Sequence, residues 1–135
     1  MRRTPLPARL AAALATASLA ACAASSPGAQ AQTLADQITR AVYADDLAGV
    51  TANFDDTIKK SITPGSLGDL SDHLRTLGTY QGLHQRTADP TSGRYQYDAT
   101  FSGGMLLVEL RLDSQGKVDA YRIAPGPGPA GPGGQ

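Results

Sequence analysis

The chain has 135 residues, with 12 Lys and Arg balanced by 12 Asp and Glu, nine Pro, 15 Gly, no Trp and one Cys. This length suits one compact domain and excludes a multidomain enzyme. A lone Cys cannot close an internal disulfide, and zero net charge excludes nucleic-acid binding driven by overall charge.

The chain opens as an export signal. Arg2, Arg3 and Arg9 make a basic start, no acidic residue precedes Asp36, and Leu10 to Ala20 is small and apolar apart from Thr16 and Ser18. A basic end followed by a short apolar helix is the layout of a secretory signal peptide. The apolar run is far shorter than the roughly 20 residues of a spanning helix. Arg2-Arg3 raises twin-arginine export, whose flanking residues fit poorly.

The run ends in Leu19-Ala20-Ala21-Cys22, which resembles a bacterial lipobox at all four positions. The resemblance implies a lipoprotein signal peptide over residues 1–21, a diacylglycerol on the Cys22 sulfur, cleavage before Cys22, and acylation (palmitate) of the new amino group. Only a thiolate is nucleophilic enough for this at neutral pH, and two or more acyl chains give stable anchoring where one does not. The membrane is then a partner through Cys22, with the domain exported to the outer face of the cell membrane, or to the outer membrane where the host has one. A plain secretory signal cleaved near Ala31 is the alternative.

Without residues 1–21, nine Lys and Arg face twelve Asp and Glu, a charge of −3. That argues against nucleic acid or anionic lipid as an electrostatic partner. Residues 22–32 read as the lipidated Cys and a flexible Ala, Ser, Gly and Gln tether. Residues 125–135 read as a disordered Gly/Pro tail. The folded unit is expected over residues 33–124.

In that unit Thr33 and Asp36 resemble a capping box, followed by Leu34, Ile38, Ala41 and Val42 on one helical face. Asp46 can cap a second helix carrying Leu47, Val50, Phe54 and Ile58. Thr63-Pro64 is an N-cap and first-turn pair, and Leu67, Leu70, Leu74 and Leu77 recur at helical spacing until Gly78 stops the third helix.

Strands follow. One is expected within Tyr80 to Arg86. Tyr95, Tyr97, Ala99 and Phe101 then alternate with polar residues. Taking Gly103-Gly104 as a two-residue hairpin loop sets Ser102 against Met105 and Asp98 against Glu109. Asp113 to Gly116 suits a type I turn with Gly116 left-handed, placing Arg111 against Asp119 and Leu112 against Val118. The expected fold class is α+β: three N-terminal helices packed on a curled antiparallel sheet of about four strands.

This order is similar to that of the nuclear-transport-factor-two-like (cystatin-like) superfamily. More narrowly, Phe101 to Pro125 resembles domain-of-unknown-function 3887, through the Gly hairpin, the aliphatic strand Leu106 to Leu112, Asp113 to Gly116, and Lys117-Val118 running on to Ile123-Ala124-Pro125. Phe54-Asp55 and the Leu-rich third helix fit the same family, which is found in bacterial lipoproteins and exported proteins. The third helix of that family usually offers an aromatic residue, often Trp, which this chain lacks.

Candidate chemistry is sparse. The superfamily includes enzymes that use a His or Asp in the cone between sheet and helices. His73 falls beside the apolar face of the third helix and His84 between polar neighbours. No nucleophile elbow, phosphate loop or zinc-protease motif occurs. No metal site or cofactor is expected, since two His without a free Cys make a poor ligand set. Asp45-Asp46 and Asp55-Asp56 are each expected to supply one cap and one solvated charge. Asp98 and Glu109, the only Glu, are expected to face one another and to be settled by Arg94, Arg111 or Arg122. Met105, Leu107, Tyr121 and Ile123 are expected to share the outer sheet face as an apolar patch for a homodimer or protein partner. The sequence thus points to an anchored lipoprotein domain that binds a partner or small ligand without catalysis. A small hydrolase or isomerase using His73, Asp98 or Glu109 is the alternative.

Overall fold

A computed structural model of the chain describes residues 26–126. The expectations for the signal peptide, for Leu19 to Cys22 and for the tail beyond Gly126 lie outside the described residues.

The first helix, α1, spans Pro27–Tyr43. Its N-cap is Ser26, whose hydroxyl accepts from the Ala29 N–H at 3.3 Å, with Pro27 in the first turn. A proline there loses nothing, because that N–H has no helical partner. The helix therefore starts six residues before Thr33, and residues 27–32, read from sequence as tether, are helical. Thr33 is mid-helix, its hydroxyl donating to the Ala29 carbonyl. The early start extends the buried face to Ala31 and Ala35, in line with Ile38, Thr39 and Val42.

The expected second helix is split in two. Asp46 caps α2, Leu47–Thr51, by accepting from the Gly49 N–H at 3.0 Å, and Asp55 caps α3, Asp56–Lys59, by accepting from Thr57. Between them a turn at residues 52–53 leads to Phe54, which pairs with a strand far along the sequence: Asp55 N–H donates to the Val118 carbonyl at 2.8 Å, and Val118 N–H to the Asn53 carbonyl at 2.9 Å. These two tertiary bonds replace helical ones, so the helices among the described residues number four. The last, α4, spans Pro64–Thr76 with the Thr63–Ser66 capping box closed in both directions. It stops at Gly78, whose φ of 94° lies in the left-handed region and whose backbone is too close to Ser102 for a side chain.

Four antiparallel strands follow in the order β1-β2-β3-β4: β1 Tyr80–Asp89, β2 Arg94–Phe101, β3 Gly104–Leu112 and β4 Val118–Pro125. The fold is α+β, with helices on one face of a curled, unclosed sheet. Tyr95, Tyr97, Ala99 and Phe101 from β2 and Leu106, Val108 and Leu110 from β3 are buried together against the α1 face.

Two registers differ from expectation. The β2–β3 loop is Ser102-Gly103, so Phe101 faces Gly104, Asp98 faces Leu107, and Gln96 faces Glu109. Tertiary docking sets this turn: Gly103 N–H donates to the Leu77 carbonyl at 2.7 Å and Thr79 N–H to the Ser102 hydroxyl at 2.8 Å. The partners move by two residues, which preserves every side chain's face. The β3–β4 turn forms as expected, with the Asp113 carboxylate accepting from Gln115 and Lys117 and Gly116 at φ 77°. Leu112 pairs with Val118, but the ladder then slips and Arg111 pairs with Ala120. Asp119 is the extra residue of a β-bulge, and a slip of one exchanges the faces of all that follows.

One buried polar atom has no partner. Tyr97 is fully buried, and its hydroxyl makes no hydrogen bond among the described residues. Burial pushes the phenol up to about 12. Raised in the fold, this pKa contributes stability that is complete below the unfolded value near 10 and is lost as pH rises through 12. Tyr97→Phe is expected to raise stability at pH 7 by about 1–3 kcal/mol, the cost of an unpaired buried hydroxyl, and to flatten the decline between those two pH values. Thermal melts of both proteins from pH 7 to 12 check this. An unchanged or lower melting temperature at pH 7 would show that the hydroxyl is satisfied.

Candidate functional site

The Asp119 bulge builds an inner cleft. It turns Tyr121 and Ile123 toward the helices, opposite Leu110 and Val108. The phenol of Tyr121 then stands beside Phe54, with ring centroids 6.2 Å apart. Around them Val42, Val50, Ile58, Leu67 and Leu70 line an open cleft of about 250 Å³ between the helices and β4, with the exposed Ser61 and Ser66 at its edge. Besides Tyr121, its polar lining residues are Ser61 and Ser66.

The Tyr121 hydroxyl is already committed. Thr39 Oγ1 donates to the Ala35 carbonyl at 2.7 Å, so in its 2.8 Å contact with Tyr121 it accepts the phenolic proton. Burial pushes Tyr121 well above the ordinary tyrosine range, and the neutral phenol is locked as a donor to α1. Tyr80 is raised in the same way by burial, and its hydroxyl donates to Asp36 at 2.7 Å while Arg40 lies over its ring. Both tyrosines pin helix to sheet.

The sequence-derived site residues lie elsewhere. His73 is exposed on α4 and His84 is exposed on β1. Asp98 and Glu109, expected to face one another, do not, because the hairpin turn sits one residue earlier. Asp98 accepts from Arg86 Nε at 2.9 Å and Nη2 at 2.7 Å, on the outer sheet face. Glu109 accepts from Gln96 Nε2 at 2.9 Å and has Arg122 at 3.8 Å. The aspartate pairs divide as expected: Asp46 and Asp55 are caps, while Asp56 is exposed beside Lys59. Among the described residues no group of three His, Cys, Asp or Glu side chains could hold a metal ion.

The expected apolar patch does not assemble. Met105, 46% exposed, and Leu107 stay on the outer face, but Tyr121 and Ile123 are on the inner face and pack against the core. The outer face is instead dominated by charged side chains. Sequence parity missed the Thr39–Tyr121 pair because it depends on the bulge. A buried threonine in line with Ala35 and Ile38 was the available signal.

No family model, curated protein or solved structure matches this chain. The chemistry therefore rests on the residues themselves. The inner cleft can receive a small apolar group and offers no titratable side chain beyond a phenol held neutral.

Thr39→Val should leave the Tyr121 hydroxyl buried without its acceptor and cost about 1–3 kcal/mol. Tyr121→Phe should cost less, because Thr39 keeps its bond to Ala35. Chemical denaturation of the two variants compares them, and equal losses would mean that the pair acts only through packing.

Proposed function

We propose that this chain is an exported bacterial lipoprotein of the domain-of-unknown-function 3887 type. In this reading it is held at the outer face of a membrane by acyl chains on Cys22, and its nuclear-transport-factor-two-like domain binds a small apolar molecule without catalysing a reaction. The observation that carries the binding part is the inner cleft, whose walls are Val, Ile, Leu and Phe side chains closed by one immobilised tyrosine. General acid–base catalysis needs a group of suitable pKa within hydrogen-bond reach of the substrate. His73, Asp98 and Glu109, the residues the enzyme alternative requires, do not line this cleft. The anchoring part is supported by the lipobox-like Leu19 to Cys22 behind a basic and apolar start.

Native mass spectrometry of residues 23–135 is expected to find a mass above the bare chain that is released on denaturation. Leu70→Trp, which fills the cleft, should abolish it. A bare monomer would count against a bound ligand, and a doubled mass would favour a partner reading through the outer face. In the producing cell, Cys22→Ala should eliminate incorporation of labelled palmitate and shift the protein out of the membrane fraction. Retention of label in that variant would overturn the lipid assignment.

A further inference from the structure

The outer sheet face carries two adjacent rungs of the ladder, and only one of them is closed. In the first, Thr87, Gln96, Glu109 and Arg122 lie in register across all four strands. Thr87 Oγ1 donates to Gln96 Oε1 at 3.1 Å, Gln96 Nε2 donates to Glu109 Oε1 at 2.9 Å, and Glu109 Oε2 lies 3.8 Å from Arg122. The polar groups of this rung satisfy one another.

In the second rung Asp89, Arg94, Arg111 and Ala120 are in register. Two guanidiniums stand directly opposite, an arrangement that destabilises a strand pair unless something neutralises it. Asp89, the cross-strand neighbour of Arg94, is turned away. Its carboxylate accepts from the Thr91 and Ser92 N–H groups and from the Ser92 hydroxyl at 2.6 Å. Asp119, projected by the bulge, takes Arg111 at 2.6 Å. Arg94 is left with no ion pair or hydrogen bond of its side chain among the described residues, and it reaches Asp89 only as a through-space charge. The rung ends in a methyl group at Ala120, and a cavity of about 260 Å³ opens there, lined by Arg94, Gln96, Glu109, Arg111, Ala120 and Arg122 among others.

We infer that this cavity is a binding site for a small carboxylic acid, held as its monoanion by Arg94 with Arg111 and Arg122 alongside. The pairing pattern favours a monoanion. Asp119 takes Arg111 and Glu109 faces Arg122, while Asp89, opposite Arg94, spends its hydrogen bonds on Thr91 and Ser92, so Arg94 is the guanidinium of this cavity with no carboxylate bonded to it. A dianion such as phosphate would meet the Glu109 carboxylate with a charge in excess. Guanidinium suits a carboxylate because its fork can donate two parallel hydrogen bonds. The site is separate from the inner cleft and stands or falls independently of it.

The test is an NMR titration of the full ¹⁵N-labelled chain in mild detergent with sodium acetate, against sodium chloride at equal ionic strength and against phosphate. Acetate is expected to give saturable shifts at the Arg94, Arg111 and Arg122 Nε–H signals and at the Ala120 amide. Arg94→Gln should weaken binding roughly tenfold or more, as expected for the loss of a charged hydrogen-bonding partner. Ala120→Leu, which fills the floor of the cavity, should abolish it in a protein with an unchanged spectrum elsewhere. Lys60→Gln, on the helical side, should change affinity by less than about twofold. Non-saturating shifts equal to those with chloride would overturn the site. So would phosphate binding more tightly than acetate, or an affinity unmoved by Arg94→Gln.

Discussion

One extra residue in β4 organises both faces of the sheet. Until Leu112 and Val118 the hairpin follows simple alternation, and Val118 is fixed there by two backbone bonds to the Asn53–Asp55 segment. Beyond it, Asp119 is inserted without a partner of its own in the ladder. Inward, the slip delivers Tyr121 to Thr39 and gives the helix–sheet cleft its aromatic wall. Outward, it sets Ala120 beside Arg111 and Arg122 beside Glu109, with Asp119 itself on Arg111. A β4 without the bulge would carry Tyr121 to solvent and turn the charged Arg122 toward the apolar core. Bulges are common where a strand must re-aim side chains, and here the re-aimed residues are those that line the two cavities.

The legible parts of this fold are those written in short range. The alternation Tyr95 to Phe101, the Leu spacing of α4 and the Thr63-Pro64 start each follow from local chemistry, and the structure has them as read. The β2–β3 register was displaced by docking of Ser102 and Gly103 onto the end of α4, yet a displacement of two residues keeps faces intact, so the core was legible although the pairs were not. The split of the second helix and the β4 bulge come from contacts between Asn53–Asp55 and Val118, more than 60 residues apart, and local periodicity holds no trace of them. The start of α1 is a different case. Ser26-Pro27 has the same cap-then-proline form as Thr63-Pro64, but the small residues after it resemble a linker. Of these, Ala31 is fully buried, as is Ala35 one turn later, while Ala29 is exposed.

The two faces divide the chemistry. Hydroxyls govern the inner face: Thr39, Tyr121 and Tyr80 tie α1 to the sheet through single hydrogen bonds that would be weak in water and gain from burial. Ions govern the outer face, where each pair is half-exposed and contributes little by itself. The sheet is thus stabilised from one side and left adjustable on the other. The expected Asp98–Glu109 pair does not form, because the two carboxylates belong to different rungs, each with its own arginine.

The Ser26 cap also sets a length. Four peptide units separate Cys22 from Ser26, a span of at most about 14 Å when fully extended. With a lipid on Cys22, a helix that begins at residue 27 leaves the domain no long leash. It would ride against the headgroup layer, free to swivel but unable to reach across the envelope, and anything it binds would have to be met at the membrane surface.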